Sequence, residues 1–315
     1  GRLLKTENGG KSWDTLRVGG SYGSIQIDPT DPSVVYASHV GPAGRAGDGI
    51  IKSTDAGRTW TPVSDGIQLS GDVGVSLVAL DPEDSSRLYA GTGGRFGGWF
   101  YVSTNGGKRW RPVEKTESSK FLENGIVSLA FDPADSSVMY VGTGISGHML
   151  KSVDGGMNWQ LTGWNPTEIL EHEERYGSTR AIHVAHENSN KVYVGAVVTE
   201  GFHPAGIFVS QDAGSTWQPF TAGLPEHVSG RAFFRGRGGE LYLVASKAGH
   251  LVGPEDTVED LGGIFRLASQ VEVWSRVAQL KDESMYRKLG GLVYNPHESA
   301  IYVGTKGLFR LRLSE

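Results

Sequence analysis

One short pattern recurs along the whole chain and constrains its fold more than any other feature. Close copies read TENGGKSW, STDAGRTW, STNGGKRW, SVDGGMNW and SQDAGSTW, and they end at Trp13, Trp60, Trp110, Trp159 and Trp217. A divergent sixth copy, ASQVEVW, ends at Trp274. Successive tryptophans are 47, 50, 49, 58 and 57 residues apart. Self-similarity at a nearly fixed period of this length indicates a repeat architecture in which each repeat is one supersecondary unit.

Each repeat reads as four short β-strands. In the first complete repeat the strand SIQIDP is followed by the turn TDPS, the strand VVYAS, a loop, the strand GIIKS and then the motif with its tryptophan. Later repeats keep this order, and β-branched and aromatic runs bounded by Gly, Asp, Asn and Pro favour strands over helices. The chain is therefore predicted to be all-β: a single β-propeller domain of four-stranded antiparallel blades over residues 1–315.

The two ends of the chain leave the number of blades open between six and seven. Residues 2–6 and 13–18 read as a third and a fourth strand, whereas the C-terminal end supplies a first, a second and a third strand in GLVYNP, AIYVGT and GLFRLRL. Two third strands cannot occupy one blade. Seven blades are favoured, with the prediction that the native strands opening the first blade precede Gly1.

The motif itself is predicted to be a structural turn. In STDAGRTW the Asp55 side chain can accept hydrogen bonds from backbone N–H groups, Gly57 permits a positive φ, and Trp60 offers a large face for packing. Asparagine replaces this aspartate in two copies, and catalysis does not need six equivalent sites, so a recurring metal or acid–base centre is disfavoured. The residues assigned this structural role are Asn8, Asp55, Asn105, Asp154 and Asp212.

The pattern S/T-x-D-x-G-x-T/S-W resembles the Asp-box (BNR) repeat of sialidases, sortilin-type Vps10 receptors, family 74 xyloglucanases and photosystem II assembly factors. The resemblance covers essentially the whole chain and implies a β-propeller. Its receptor and assembly-factor members imply an extracytoplasmic location, secreted or periplasmic. The RIP signature of the sialidases is absent here. Family 74 places its cleft between two propellers and uses an aspartate in an RTDVGG-like context, which the segments YASHVGPAG and YAGTGGRFGG lack.

Charge and composition argue against several kinds of partner. The chain carries 30 basic and 35 acidic residues, a net charge of −5, so no global attraction to nucleic acid is expected. No apolar run approaches the roughly 18 residues of a membrane helix, so no membrane insertion is expected. The chain has no cysteine, which rules out thiolate zinc sites. No cofactor and no metal site are expected.

The long irregular loops are predicted to share one end of the blades, opposite the motif turns, because alternate connections of an up-and-down sheet lie at alternate ends. Binding residues concentrate in such loops. Aromatic rings combined with arginine and carboxylate groups suit a protein or glycan ligand. The candidate binding residues are Arg95, Phe96, Trp99, Glu174, Arg175, Tyr176 and His203.

Two further sets of polar residues are weaker candidates. An inverting carboxylate pair could be drawn from Asp48, Glu174 and Glu200, depending on their separation in space. His183 and His186 form an HxxH pattern, but an offset of three residues on a strand points the two rings to opposite faces. A metal shared by these histidines is therefore disfavoured.

These observations favour a noncatalytic protein- or ligand-binding module, or an assembly module, on a propeller scaffold, with its protein or glycan ligand on the long-loop face. The alternative is a glycoside hydrolase or a carbohydrate-binding propeller of the xyloglucanase type. If the chain is an enzyme, it is expected to be a glycoside hydrolase.

Overall fold

The computed structural model describes residues 2–8, 11–40, 47–69, 73–93, 98–144, 146–166, 177–198, 206–225, 228–247, 262–268, 272–279, 291–295, 300–304 and 308–312. The regular elements among them are β-strands and one short 3-10 helix, Lys120–Asn124. The strands form seven separate sheets, which we name A to G in chain order. The chain divides into two compact units, and each is described by itself.

The first unit comprises residues 1–131, 135–145 and 150–160. It holds sheets A to C and most of sheet D. Sheet A contains β1 (Arg2–Lys5) and β2 (Asp14–Val18). Sheet B contains β3 (Ser21–Ile27), β4 (Val35–Val40), β5 (Gly49–Ser53) and β6 (Thr61–Pro62). Sheet C contains β7 (Gly74–Leu80), β8 (Leu88–Gly93), β9 (Phe100–Ser103) and β10 (Arg111–Pro112). Sheet D contains β11 (Ile126–Asp132), β12 (Asp135–Thr143), β13 (Met149–Ser152) and β14 (Gln160–Leu161).

The second unit comprises residues 132–134, 146–149 and 161–315. Sheet E contains β15 (Gly177–Ala185), β16 (Asn188–Val198), β17 (Ile207–Ser210) and β18 (Gln218–Pro219). Sheet F contains β19 (Val228–Arg235), β20 (Leu241–Lys247), β21 (Gly262–Ala268) and β22 (Val273–Ala278). Sheet G contains β23 (Gly291–Asn295), β24 (Ala300–Gly304) and β25 (Leu308–Arg312).

The order of strands confirms the predicted blades. Sheets B to F each have four strands that neighbour one another in sequence order. Sheets A and G, which lie at the two ends of the sequence, have two and three strands among the described residues. Each complete sheet is therefore one sequence repeat folded on itself.

Neighbouring sheets bury apolar side chains against one another within each unit. In the first unit, Tyr36 of sheet B and Val78 and Leu88 of sheet C belong to one fully buried cluster. In the second unit, Tyr193 of sheet E packs in one cluster with Leu243 of sheet F. Burying one large apolar side chain stabilises a fold by about 1.5–3 kcal/mol. Sheets B and C, and sheets E and F, therefore share their cores.

The motif turns are held by their polar side chains. Asp55 Oδ1 accepts hydrogen bonds from the Thr59 backbone N–H at 2.8 Å and from Ser53 Oγ at 2.8 Å, and Oδ2 accepts one from Thr59 Oγ1 at 2.6 Å. These bonds, led by those from Thr59, lower the pKa of Asp55 to about 2. Asp212 makes the equivalent three bonds. Asn105 Oδ1 accepts the equivalent backbone bond at 2.9 Å, so the turn forms without a charged side chain.

Four motif tryptophans directly precede short fourth strands, and Trp274 lies within β22. Their indole N–H groups are used in two ways. Trp60, Trp159 and Trp217 donate to a glycine carbonyl of their own turn, at 2.9, 2.9 and 3.1 Å. Trp110 and Trp274 donate instead to the carbonyl that follows β6 and β18, at 2.7 and 3.0 Å. The second pattern joins one sheet to the sheet before it.

Trp164 lies outside the motif and anchors residues 162–166, which follow β14. Its ring is fully buried, and its centroid lies 5.0 Å from that of Phe208 and 5.4 Å from that of Trp217, both in edge-on contact. Its Nε1 donates to Gly147 O and to Thr179 Oγ1, each at 2.9 Å. This indole therefore fills a core position and satisfies buried acceptors at the same time.

Two kinds of close approach complete the sheet-to-sheet contacts. Tyr36 and Tyr89 donate from their hydroxyls to carbonyl oxygens in the motif turn of the following sheet, at 3.1 Å in both cases. Gly66 has a φ of +94°, and a Cβ on it would lie 2.2 Å from Trp110 O. Only glycine fits that position without displacing the backbone.

Candidate functional site

Four polar side chains meet at one end of sheet B, where the loop from β4 to β5 lies. We call this end of a sheet, which carries the second-to-third strand connection, its loop end. Arg17 comes from β2, Tyr22 from the start of β3 and His39 from the end of β4, and Asp48 immediately precedes β5. Antiparallel pairing places the starts of β3 and β5 beside the end of β4. These residues form the Asp48 cluster.

The carboxylate of Asp48 is held by Arg17, whose Nη2 lies 2.5 Å from Oδ2. His39 Nδ1 lies 3.1 Å from Oδ2 and accepts a hydrogen bond from the Asp48 backbone N–H, also at 3.1 Å. A neutral His39 therefore carries its proton on Nε2 and orients the Asp48 backbone rather than bonding to its carboxylate. The Asp48 side chain is 34% exposed. The cluster thus presents an oriented carboxylate that solvent or a ligand can reach.

Tyr22 closes the cluster on the side of β3. Its ring lies 5.1 Å from the His39 ring, centroid to centroid, with a tilt of 32°. Burial raises the pKa of the Tyr22 hydroxyl, and the neighbouring charge of Arg17 opposes that rise. Tyr22 is therefore a neutral wall beside the ion pair.

Of the predicted binding residues, Trp99 alone lies within the described part of the chain. Its backbone N–H donates to Thr92 Oγ1 at 2.8 Å, and its ring is partly buried against the core of sheets B and C. Lys115 Nζ lies 3.6 Å from the centroid of the Trp99 ring, over its face. The residues outside the described part are Arg95, Phe96, Glu174, Arg175, Tyr176 and His203. The predicted set therefore stays a prediction.

His183 and His186 do not point to opposite faces, which corrects the expectation from the HxxH pattern. Their ring centroids are 6.2 Å apart, and both line a pocket of about 300 Å³ with Arg235 and Glu240. β15 ends at Ala185, so His186 lies in the following turn and strand alternation does not apply. Burial lowers the pKa of both imidazoles, that of His183 to about 4.

A larger groove of about 730 Å³ follows β10 in the first unit. Arg109, Arg111 and Glu114 line one side, and Met157 and Asn158 of the next motif turn line the other. Its volume lies within the range of small-molecule sites. The groove runs along the outer strand of sheet C, so it is separate from the Asp48 cluster.

The described residues provide neither a metal-binding cluster nor a membrane-spanning helix. No group of three or more His, Cys, Asp or Glu side chains in the described ranges could hold a metal ion. Within those ranges no helix is long and apolar enough to cross a membrane.

Sequence reasoning singled out Asp48 but missed the residues that hold it. Arg17 and His39 belong to different strands from Asp48, and the sequence does not state the register that brings them together. The signal that could have found them is their position near strand ends. Arg17 lies near the end of β2 and His39 near the end of β4, and both ends lie beside the loop end of sheet B. The pocket around His183 was missed for the same kind of reason, since it depends on where β15 ends.

Comparison with known proteins supports the fold and gives a direction for function. No protein-family profile matches the chain. It is 26% identical over 308 residues to a xyloglucanase of Hypocrea jecorina, covering 89% of this chain and 35% of that protein. The structure superposes on the GH74 xyloglucanase from Xanthomonas campestris with a TM-score of 0.64 at 18% identity, covering 95% of this chain and 46% of the other. It also superposes on YCF48 bound to D1 peptide, with a TM-score of 0.54 at 15% identity, covering 94% and 79%.

The chain therefore has the all-β fold of a β-propeller with four-stranded blades. It spans about a third of the length of the curated xyloglucanases that it matches. The expectation of a noncatalytic binding or assembly module is wrong, because the sequence relatives that cover most of the chain are named xyloglucanases and similar structures are GH74 enzymes. These matches support the alternative, a glycoside hydrolase with a glycan ligand.

Proposed function

We propose that the chain is the glycan-binding propeller of a glycoside hydrolase whose substrate is a β-glucan of the xyloglucan class. The observation that carries the proposal is the alignment of 89% of the chain with the xyloglucanase of Hypocrea jecorina. The structural likeness to GH74 enzymes over more than nine-tenths of the chain agrees with it. The predicted loop-face residues remain candidates for contacts to the sugar.

The Asp48 cluster supplies a carboxylate of the kind that glycoside hydrolysis requires. In an inverting hydrolase, one carboxylate takes a proton from the attacking water while a carboxylic acid protonates the leaving oxygen. We assign the first role to Asp48. Arg17 and His39 both approach Oδ2, whereas Oδ1 has no hydrogen bond to another described residue and is free to contact water.

Two finer features belong to the same proposal. The bonds of Asp55 and Asp212 support the assignment of the motif turns as Asp-boxes. An extracytoplasmic location, secreted or periplasmic, follows from the proposed substrate, since a polysaccharide does not cross a membrane unaided. Fractionation of the source cells with an antibody against the chain tests that location.

The experiment separates binding from turnover. Affinity electrophoresis in gels that contain xyloglucan measures binding, and release of reducing ends measures hydrolysis. Asp48→Asn is expected to keep binding and to lower hydrolysis by about 10²–10⁴-fold, the usual contribution of a general base. The matched control is Asp31→Asn at the opposite end of sheet B, where Asp31 Oδ1 accepts a bond from Ser33 Oγ at 2.6 Å. A wild-type chain that shows neither retention nor hydrolysis contradicts the proposal, and unchanged turnover in Asp48→Asn contradicts the role of Asp48.

A further inference from the structure

The first strands of four sheets share a local irregularity near their N-terminal ends. In sheet B the pairing of β3 with β4 skips from Tyr22 to Ile25, and in sheet C that of β7 with β8 skips from Val75 to Leu77. In sheet E the pairing of β15 with β16 skips Arg180, and in sheet F that of β19 with β20 skips Arg231. A bulge of this kind leaves a residue out of the ladder and re-aims its side chain.

In the first unit the residue at the bulge is a serine that bonds to the next first strand. Ser24 Oγ accepts from Val78 N at 2.6 Å. Ser76 Oγ donates to Ile126 O at 2.7 Å. Both hydroxyls are thus satisfied by the backbone of the neighbouring sheet, and their role is structural.

In the second unit the same position holds an arginine in two neighbouring sheets. Arg180 and Arg231 lie within four residues of the starts of β15 and β19, at the loop ends of sheets E and F. The two sheets approach closely at this level, because a Cβ on Gly230 would lie 2.6 Å from the Cα of Gly195. Gly195 pairs with Ala181, which follows Arg180. The two bulges are therefore adjacent.

The charges of the two guanidinium groups interact, although the two side chains differ in exposure. Arg180 is exposed to solvent and Arg231 is half-buried, and partial burial lowers the pKa of Arg180. Burial and then the charge of Arg180 lower the pKa of Arg231 to about 10. Two like charges in such a site favour the binding of an anion, which offsets both their repulsion and their desolvation.

The hydrogen-bonding capacity around the pair is mostly unused. Arg231 Nε donates to Ser246 Oγ at 2.8 Å, and a guanidinium has four further N–H donors. Neither arginine takes part in an ion pair with a carboxylate of the described chain. Ser178 Oγ and Ser229 Oγ, two residues before each arginine, are buried and have no hydrogen-bond partner among the described residues.

We propose that Arg180 and Arg231 form a subsite for a carboxylate group carried by the glycan, so that the preferred ligand contains a uronic acid. The planar guanidinium fork matches a carboxylate in a two-point contact, and the nearby serine hydroxyls are further donors. The inference rests on the proposed function, because it takes the ligand to be a glycan bound at the loop ends. It adds the charge of that ligand.

The test compares acidic and neutral oligosaccharides of equal length. Isothermal titration calorimetry measures the affinity of the full chain for glucan oligosaccharides with and without one glucuronic acid substituent. The acidic ligand is expected to bind at least tenfold more tightly. Arg180→Gln and Arg231→Gln should each abolish that preference, and Arg231→Lys should keep part of it. Arg235→Gln, at the other end of β19, is the matched control and should keep all of it.

The outcomes separate this inference from the proposed function. Equal affinity for acidic and neutral ligands overturns the carboxylate subsite and leaves the proposed function standing, whereas absence of binding to both contradicts the two together. Equally tight binding of free acetate or inorganic phosphate would indicate an unselective anion site and also overturns the inference. A third outcome is that the chain does not bind the oligosaccharides but binds a peptide with a free C-terminus more tightly than the amidated peptide. That result would assign the arginine pair to a protein ligand and overturn the inference. Circular dichroism of each variant verifies that it folds.

Discussion

Lowering the pH from 7 to 4.5 is expected to destabilise the protein through His183. The imidazole lies in the pocket between sheets E and F, where the titratable and charged groups that face it are His186, Glu187, Arg235 and Glu240. Burial, followed by the charge of His186, lowers its pKa from 6.5 to about 4. The folded protein therefore keeps His183 neutral at a pH where the unfolded chain protonates it.

The sign and size of the effect follow from those two pKa values. The stabilisation is fully present above pH 6.5 and is lost between pH 6.5 and pH 4, because in that range the unfolded state binds the extra proton. Between pH 7 and pH 4.5 the loss in the free energy of unfolding is about 2–3 kcal/mol. Asp55 and Asp212, whose pKa values are lowered to about 2, change their contribution mainly at lower pH.

The assay is urea unfolding followed by far-UV circular dichroism at pH 7 and pH 4.5. His183→Phe cannot titrate and should lose about 2–3 kcal/mol less than the wild type between the two pH values. His186→Phe, in the same pocket but with an exposed side chain, is the matched control and should change the pH dependence less. If His183→Phe loses as much free energy as the wild type, the assignment of the pH dependence to this buried imidazole is refuted.

Three further predictions concern the framework. Trp164→Phe keeps the ring packing but removes the donor to two buried acceptors, so urea unfolding should show a loss of about 1–3 kcal/mol; unchanged stability would count against those bonds. Asp212→Ala should lower the urea midpoint more than Asp212→Asn, because Asn105 shows that an amide can close the same turn, and equal midpoints would contradict this. Gly66→Ala should lower the melting temperature more than Gly93→Ala, since the added Cβ would lie 2.2 Å rather than 3.6 Å from its nearest atom; calorimetry that ranks them the other way rejects the steric argument.

The blades could be predicted from sequence because their signals are local. Each of the five close motif copies carries its own polar acceptor and tryptophan, so sheets B to E follow from the repeat without knowledge of distant contacts. The expectation for His186 failed over a single strand boundary, since β15 ends at Ala185 and the alternation rule stops there.

The candidate sites were harder to predict because they depend on register and irregular backbone. Asp48 is visible in the sequence, but its pairing with Arg17 requires the placement of β2 beside sheet B. Arg180 and Arg231 stand at the repeat position of Ser24 and Ser76, yet no sequence pattern states that this position is a bulge. The noncatalytic interpretation gave too much weight to the absence of the RIP and RTDVGG-like motifs. Each of these motifs marks one arrangement of catalytic groups, and its absence does not exclude a different arrangement.

The bonds between neighbouring sheets have a consequence for synthesis on the ribosome. Ser24 bonds to a residue 54 positions later, Ser76 to one 50 positions later, and Trp274 to one 54 positions earlier. The entropy of closing such loops is nearly the same each time, so within each unit these sheets dock on the one made just before them at a similar cost. At 5–20 residues per second, about 50 residues emerge in roughly 3–10 s. We therefore expect the nascent chain to acquire its structure sheet by sheet, with the most recently made sheet as the part exposed to proteases and chaperones.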